Sequence, residues 1–226
     1  QGDHVCSSTV GDADAKWLVV EVVIADLIAL GGKVKFPRCT VRHIGDKASA
    51  TQFLIANEPR AAGVAVIGAT LQAGDKELCQ VGAYGTATAG DWGTATAGDE
   101  GTATAGDWGT ATAGDWGTAT AGDEGTATAG DWGTATAGYK GTATAGYKGT
   151  ATAGYKGTAT AGDWGTATAG YKGTATAGEK GEIRIRYWDE KTERYRTVIG
   201  YIGEDGLEPN THYRLDDNHR FVKVEG

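Results

Sequence analysis

The chain has 226 residues, enough for one or two ordinary domains, with 38 Gly, no Met and only three Phe. Its net charge of −8 removes any general attraction to nucleic acid and argues against anionic membranes as partners. The longest apolar run, Trp17–Leu30, is broken by Glu21 and Asp26 and falls short of the roughly 20 residues a membrane-spanning helix needs.

No signal peptide is visible, although a chain starting at Gln1 rather than Met is compatible with a leader already removed. An extracellular or cell-surface place is favoured over a cytoplasmic one. The three cysteines, Cys6, Cys39 and Cys79, have neither zinc-site spacing nor the density of a disulfide scaffold. They allow one disulfide and a free thiol.

Residues 1–11 read as a flexible N-terminus and residues 12–68 as a small α+β domain. Trp17–Ile24 and Lys33–Ile44 have strand composition. Ala48–Asn57 reads as a helix started near Asp46 and stopped by Pro59. Gly63–Gly68 (GVAVIG) reads as a strand bridging this domain to the octapeptide region.

From Gly85 to Lys180 the chain is twelve consecutive octapeptides, Gly-Thr-Ala-Thr-Ala-Gly-X-X, with no insertion. A gapless repeat of this kind predicts a solenoid. The Thr/Ala alternation is a short two-faced strand. Gly-X-X-Gly is a turn, with glycine expected to supply positive φ. Degenerate octads in the same register flank the array: Ala69–Lys76, Glu77–Tyr84 and Gly181–Trp188. Their third and fifth positions carry Leu71 and Ala73, Cys79 and Val81, Ile183 and Ile185, whereas polar residues dominate positions two and four. Alanine is therefore expected inside and threonine outside, over a solenoid spanning 69–188.

An alanine-only interior favours two octads, or sixteen residues, per coil, because three would enclose a void that alanine cannot fill. The identical 24-residue blocks Gly85–Trp108 and Gly109–Trp132 are the period a three-octad coil would show, and gene-level duplication explains them equally well. With sixteen residues per coil, one face carries Thr86, Thr88, Thr102, Thr104, Thr118, Thr120, Thr134, Thr136, Thr150, Thr152, Thr166 and Thr168. The opposite face carries the files from Thr94 and Thr96 to Thr174 and Thr176. Each is a flat lattice of methyls and hydroxyls, stiffened by the restricted χ1 of threonine.

Only the last two octad positions vary. The first six octads hold eight acidic residues and no basic one there, and the last six hold five lysines against Asp163 and Glu179. The rod is thus electrically polar, which suits assembly of acidic end on basic end; a drift of charge among solvated turns is the plainer alternative. Stacked Asp at one corner would repel. Trp92, Trp108, Trp116, Trp132 and Trp164 also lie in the corners. Exposed aromatics suit lateral association or sugar stacking, or else an intramolecular ladder that shields the edge.

Residues 189–226 read as a β cap, as a solenoid's open edges require. Ile183–Trp188 alternates, Arg194–Ile202 follows the turn Asp189–Glu193, and Arg220–Val224 closes a small sheet. No catalytic constellation is legible: there is no phosphate loop, and His4, His43, His212 and His219 are scattered. His212 and His219 sharing a metal is less plausible than exposed cap histidines. A Ca²⁺ role for the corner Asp files lacks the Gly-Gly-X-Gly-X-Asp pattern such repeats use.

Two stretches, AGYKGTATA (residues 137–145) and AYGTATA (residues 83–89), approach Ala-Gly-Tyr-Gly-Ser-Thr-X-Thr-Ala, and the array resembles the central repeats of bacterial ice-nucleation proteins. The resemblance covers roughly Ala69–Trp188 and extends to the layout: an N-terminal domain, a coil array, basic C-terminal coils and a short cap. It implies that the Thr files order water. It implies that Tyr139, Tyr147, Tyr155 and Tyr171 are edge aromatics, and that Lys140, Lys148, Lys156, Lys172 and Lys180 mark basic coils that promote multimerisation. The array departs from the family in having only about six perfect coils and Trp and Asp in its turns. A face this short implies binding to existing ice more than efficient nucleation.

The expected protein is mainly β: a two-sided β-solenoid of about sixteen residues per coil, with a small α+β N-terminal domain and a β C-terminal cap. It is expected to be non-enzymatic, to need no cofactor or metal, and to organise water or bind ice. Its expected partners are itself, as a homo-oligomer or filament, and ice or water, with no nucleic acid and no membrane span. The alternatives are a self-assembling structural filament, held by its charge-polar ends and Trp/Tyr corners, and carbohydrate binding through the Trp corners.

Overall fold

The computed structural model describes residues 16–29, 34–58 and 68–224. The chain divides into two compact units, residues 1–64 and 65–226.

In the first unit, β1 (Trp17–Glu21) pairs antiparallel with β4 (Thr40–Gly45), and β2 (Ile28–Ala29) with β3 (Val34–Lys35). The strand expected over Lys33–Ile44 is split into β3 and β4. Pro37 lies in the break, and it lacks the N–H that a continuous ladder needs. Helix α1 (Lys47–Asn57) starts where Asp46 accepts the Ser49 amide at 2.7 Å, a side-chain N-cap. Pro59 and residues 63–67 of the expected bridging strand lie outside the described residues. No described helix is long and apolar enough to cross a membrane.

The second unit is a two-sided β-solenoid. Strands β5 (Thr70–Gln72) and β6 (Leu78–Gln80) open it. Twelve strands succeed them at eight-residue intervals, from β7 (Thr86–Thr88) to β17 (Thr166–Ala169) and β18 (Thr174–Ala177). Alternate strands join alternate sheets, so each strand pairs in parallel with the one sixteen residues on: Thr102 with Thr118, Ala103 with Ala119. The coil is therefore sixteen residues, and the 24-residue identity is not a structural period. The fifteen octads make about seven coils.

Alanine lies inside throughout: Ala87, Ala103, Ala119, Ala135, Ala151 and Ala167 are fully buried. The degenerate octads obey the same rule, with Cys79, Val81, Ile183 and Ile185 buried, while Leu78 at an outward position is 67% exposed. Each alanine methyl contributes only about 0.8 kcal/mol of burial. The coils therefore depend heavily on their inter-coil hydrogen bonds.

The turn glycines do not have the role expected of them. Positive φ falls on the second variable residue of every octad from Ala69–Lys76 to Gly173–Lys180, including Trp92 (59°), Glu100 (55°) and Lys148 (52°), and on none of the array's glycines. Glycine is required for clearance instead. A Cβ on Gly154 would lie 2.7 Å from the Gly138 carbonyl oxygen one coil below, and one on Gly93 would lie 2.8 Å from the Ala89 methyl. The left-handed residues are held by inter-coil bonds, such as Trp92 N–H to the Asp107 carbonyl at 2.8 Å.

The C-terminal edges of both sheets are covered. Strand β19 (Glu182–Asp189) pairs with β17 through its first four residues and antiparallel with β20 (Arg194–Tyr201) along its whole length. On the opposite sheet β18 meets β21 (Tyr213–Leu215), which pairs with β22 (Phe221–Lys223). Each large sheet thus has nine strands.

Candidate functional site: threonine faces and corners

The alternation that buries alanine places Thr-X-Thr on the outside of each sheet, and the parallel register stacks like on like. Thr86, Thr102 and Thr118 form one file and Thr88, Thr104 and Thr120 the next. Both files continue in register through Thr134 and Thr136, Thr150 and Thr152, to Thr166 and Thr168. Spacing along a file is about 4.7–4.9 Å, and between files about 6.6–6.8 Å. The outer file is the more open: Thr102, Thr118, Thr134 and Thr150 are exposed, and Thr104, Thr120, Thr136 and Thr152 half-buried.

Among the described residues, only one array threonine hydroxyl has a hydrogen-bond partner within the protein. That is Thr176, whose Oγ1 lies 2.5 Å from His212 Nδ1. Thr176 is buried. The repeat pattern places it on the solvent face, and the cap covers it. Every other array threonine hydroxyl is left to solvent, on a backbone fixed from both sides.

The corners are ladders. Where Asp holds the first variable position, its Oδ1 accepts the backbone N–H of the residue one coil on. Asp91 accepts Asp107 N–H at 2.9 Å, Asp107 accepts Asp123 at 2.8 Å, and Asp115 accepts Asp131 at 2.9 Å. The expected repulsion along these files is therefore countered by donors on the backbone. The last such bonds of the acidic block reach into the Tyr coils, Asp123 to Tyr139 and Asp131 to Tyr147, both at 2.8 Å.

The second variable position makes the aromatic ladder. Trp92 stacks on Trp108 with centroids 5.1 Å apart, and Trp116 on Trp132 at 4.9 Å. A coil rise close to the stacking distance makes identical rings at this position stack without adjustment. Lys148 sits 4.3 Å over the Trp132 ring and Lys180 4.6 Å over Trp164. Tyr139, Tyr155 and Tyr171 form a second file at 5.5 and 5.7 Å, which ends on Tyr195 of the cap at 6.3 Å. Tyr147 meets Trp132 edge-on at 6.1 Å. Lys140, Lys156 and Lys172 lie over their own neighbouring Tyr rings.

Glutamates tie the ladders where the files change. Tyr84 Oη donates to Glu100 at 2.9 Å, which pushes the phenol pKa up. Glu124 accepts from Trp108 Nε1 at 3.3 Å and pairs with Lys140 at 3.4 Å, which raises the ammonium pKa. Sixteen residues separate the partners in each of these pairs, so each lies one coil apart.

The cap histidines are separately engaged. His212 bonds Thr176, and His219 stacks on Tyr187 at 3.8 Å. Among the described residues no three of His, Cys, Asp and Glu gather as a metal site. Cys39 is an exposed free thiol and Cys79 a buried one, and burial pushes the Cys79 pKa up.

No protein-family model and no solved structure matches the chain. Curated relatives do. An ice nucleation protein of Pseudomonas syringae is 52% identical over 48 residues, 20% of this chain and 4% of the relative. One of Xanthomonas campestris pv. translucens is 41% identical over 49 residues, 21% of this chain and 3% of the relative. One of Pantoea ananas is 49% identical over 45 residues, 19% of this chain and 4% of the relative. The matched stretch thus spans only about one twenty-fifth of the relatives' own length. Over that stretch, this chain carries a repeat similar to those of bacterial ice nucleation proteins.

Proposed function

We propose that this chain is a non-enzymatic repeat protein whose Thr-Ala-Thr faces organise water and bind ice. The observation that supports this best is the state of the threonine hydroxyls. They stand in registered files on a parallel sheet, and apart from Thr176 none has a hydrogen-bond partner among the described residues of the protein. Hydroxyls held at fixed spacing and left to solvent impose that spacing on the water they bind. The methyls beside them limit competing orientations. The similarity to ice nucleation proteins over the repeat supports the same reading.

The short array sets the scale. A templating face of six perfect coils is small against an ice embryo, so the protein is expected to adsorb to existing ice and slow recrystallisation more than to raise freezing temperature. Wild-type protein should slow recrystallisation, whereas Thr118→Lys/Thr134→Lys, which places two long cations in the outer file, should lose most of that effect. Wild type indistinguishable from buffer in both recrystallisation and droplet-freezing assays would end the proposal.

A second reading rests on a different observation. The corners are acidic toward one end and basic toward the other, and their aromatic ladders are open to solvent, with Trp116 62% exposed. Such a rod suits self-assembly into a filament, with Thr serving only as sheet packing. Sedimentation across a salt series separates the readings, because assembly through opposed charge weakens as salt rises. A salt-indifferent monomer removes this one.

A further inference from the structure

Strand β19 runs past the solenoid it belongs to. Its first four residues, Glu182–Ile185, pair with β17, whereas Arg186–Asp189 pair only with β20. The β19–β20 hairpin therefore overhangs the corner of the last coil. Beneath the overhang, between Tyr171 of that corner and the β21–β22 strands, lies a cleft of about 710 Å³. That volume lies in the range typical of small-molecule sites.

The lining is specific in character. Tyr171, Tyr187 and Trp188 contribute half-buried aromatic surface. Two of the lining cations are already occupied by rings: Lys172 lies over Tyr171 at 5.2 Å and Arg186 over Tyr195 at 4.8 Å. Asp216 is spent on its own turn, where it accepts the Asn218 and Arg220 amides at 2.9 and 2.8 Å. Three charged side chains of the lining remain exposed and unengaged by the described residues of the protein: Glu190, Asp217 and Arg214.

We propose that this cleft binds a neutral saccharide or polyol. Over the whole lining three cations, Lys172, Arg186 and Arg214, meet three carboxylates, Glu190, Asp216 and Asp217, so the cleft has no net formal charge. That balance gives no general attraction to phosphates or acidic sugars. It suits a ligand whose hydroxyls donate to Glu190 and Asp217 and accept from Arg214. One face of Tyr187 is taken by His219 and Lys172 lies over Tyr171, so Trp188, which Tyr195 meets edge-on, supplies the ring on which the C–H face of a pyranose packs. Carboxylates, arginine and aromatic rings in one concave site form a combination that neither the Thr faces nor the Trp corners possess. The site is separate from both, so its fate is independent of the ice-binding proposal.

The test is an NMR titration of the ¹⁵N-labelled full chain with glucose, trehalose and maltotriose, with glucuronate and inorganic phosphate as anionic comparators. The expected result is saturable shifts of the Trp188 indole N–H and the Asp217–His219 amides with at least one neutral sugar. Asp217→Asn and Arg214→Gln, both at exposed positions, should each weaken that binding by about tenfold. Neither should change ice recrystallisation. No saturable shift with any of the three neutral sugars would overturn the proposal. So would tighter binding of an anionic comparator, shifts confined to Trp92, Trp108, Trp116, Trp132 and Trp164, or binding unchanged in both variants.

Discussion

A methyl group added at the sixth octad position has nowhere to go. At Gly154 it would sit 2.7 Å from one backbone atom and 2.8 Å from the next, and neither can rotate away. Gly154→Ala should therefore cost about 1–3 kcal/mol of array stability, read from chemical denaturation. Asp107 makes the other residue-scale prediction. Its carboxylate both accepts the Asp123 amide and stands between two like charges in the file. If the hydrogen bond outweighs repulsion, Asp107→Ala destabilises by about 0.5–1.5 kcal/mol and Asp107→Asn, which keeps an acceptor, by less. Stabilisation by both substitutions would mean that repulsion governs the corner. Glycine is where residue-level reading of the sequence failed. The spacing showed that Gly was obligatory, but the reason lay one coil away, at a distance the sequence does not state.

At the scale of elements, the strands of the array were legible because the octad repeats without error and the degenerate octads break its symmetry. Leu71, Val81, Ile183 and Ile185 identified the inner face, which twelve identical Thr-Ala-Thr-Ala segments leave open. Strand β21, Tyr213–Leu215, was not legible. Three residues carry too little alternation, and it exists because the edge of β18 needs covering. The split of Lys33–Ile44 comes from Pro37, a breaker that the strand-like composition around it outweighs in a reading by pattern alone. The β19–β20 hairpin is pinned at its turn by Asp189. The carboxylate accepts from the Thr192 hydroxyl at 2.8 Å and the Lys191 amide at 3.0 Å and pairs with Arg196 at 2.6 Å. The Thr192 bond leads in holding its pKa below the usual carboxylate value of 3.8, with the Lys191 and Arg196 contacts adding to it. A depressed folded-state pKa gives stabilisation that is complete above the unfolded value and lost as pH falls through the folded one. Hydrogen exchange of the Lys191 amide should therefore be flat at neutral pH, once corrected for intrinsic rate. Its protection should fall below about pH 4, and Asp189→Asn should abolish that pH dependence.

For the whole molecule, the coil period decides which residues share a face and which share a corner. Sixteen residues per coil put every second octad on one side, which turns a one-dimensional repeat into two registered lattices and two corner ladders. The choice of sixteen over twenty-four was open to physical reasoning, because alanine cannot fill a triangular core. The aromatic ladder was one of the readings the Trp corners allowed, and Trp92 stacks on Trp108 one coil on; the tie of Glu124 to Lys140 was not read from the sequence. The same period leaves the threonine hydroxyls in register and facing water. Ice uptake tests that consequence most directly. Fluorescently labelled wild-type protein should concentrate in a slowly grown ice hemisphere, and Thr118→Lys/Thr134→Lys with its counterpart Thr126→Lys/Thr142→Lys on the opposite face should be rejected into the liquid. Rejection of the wild type, or equal uptake of the chain with both faces altered, would contradict the account.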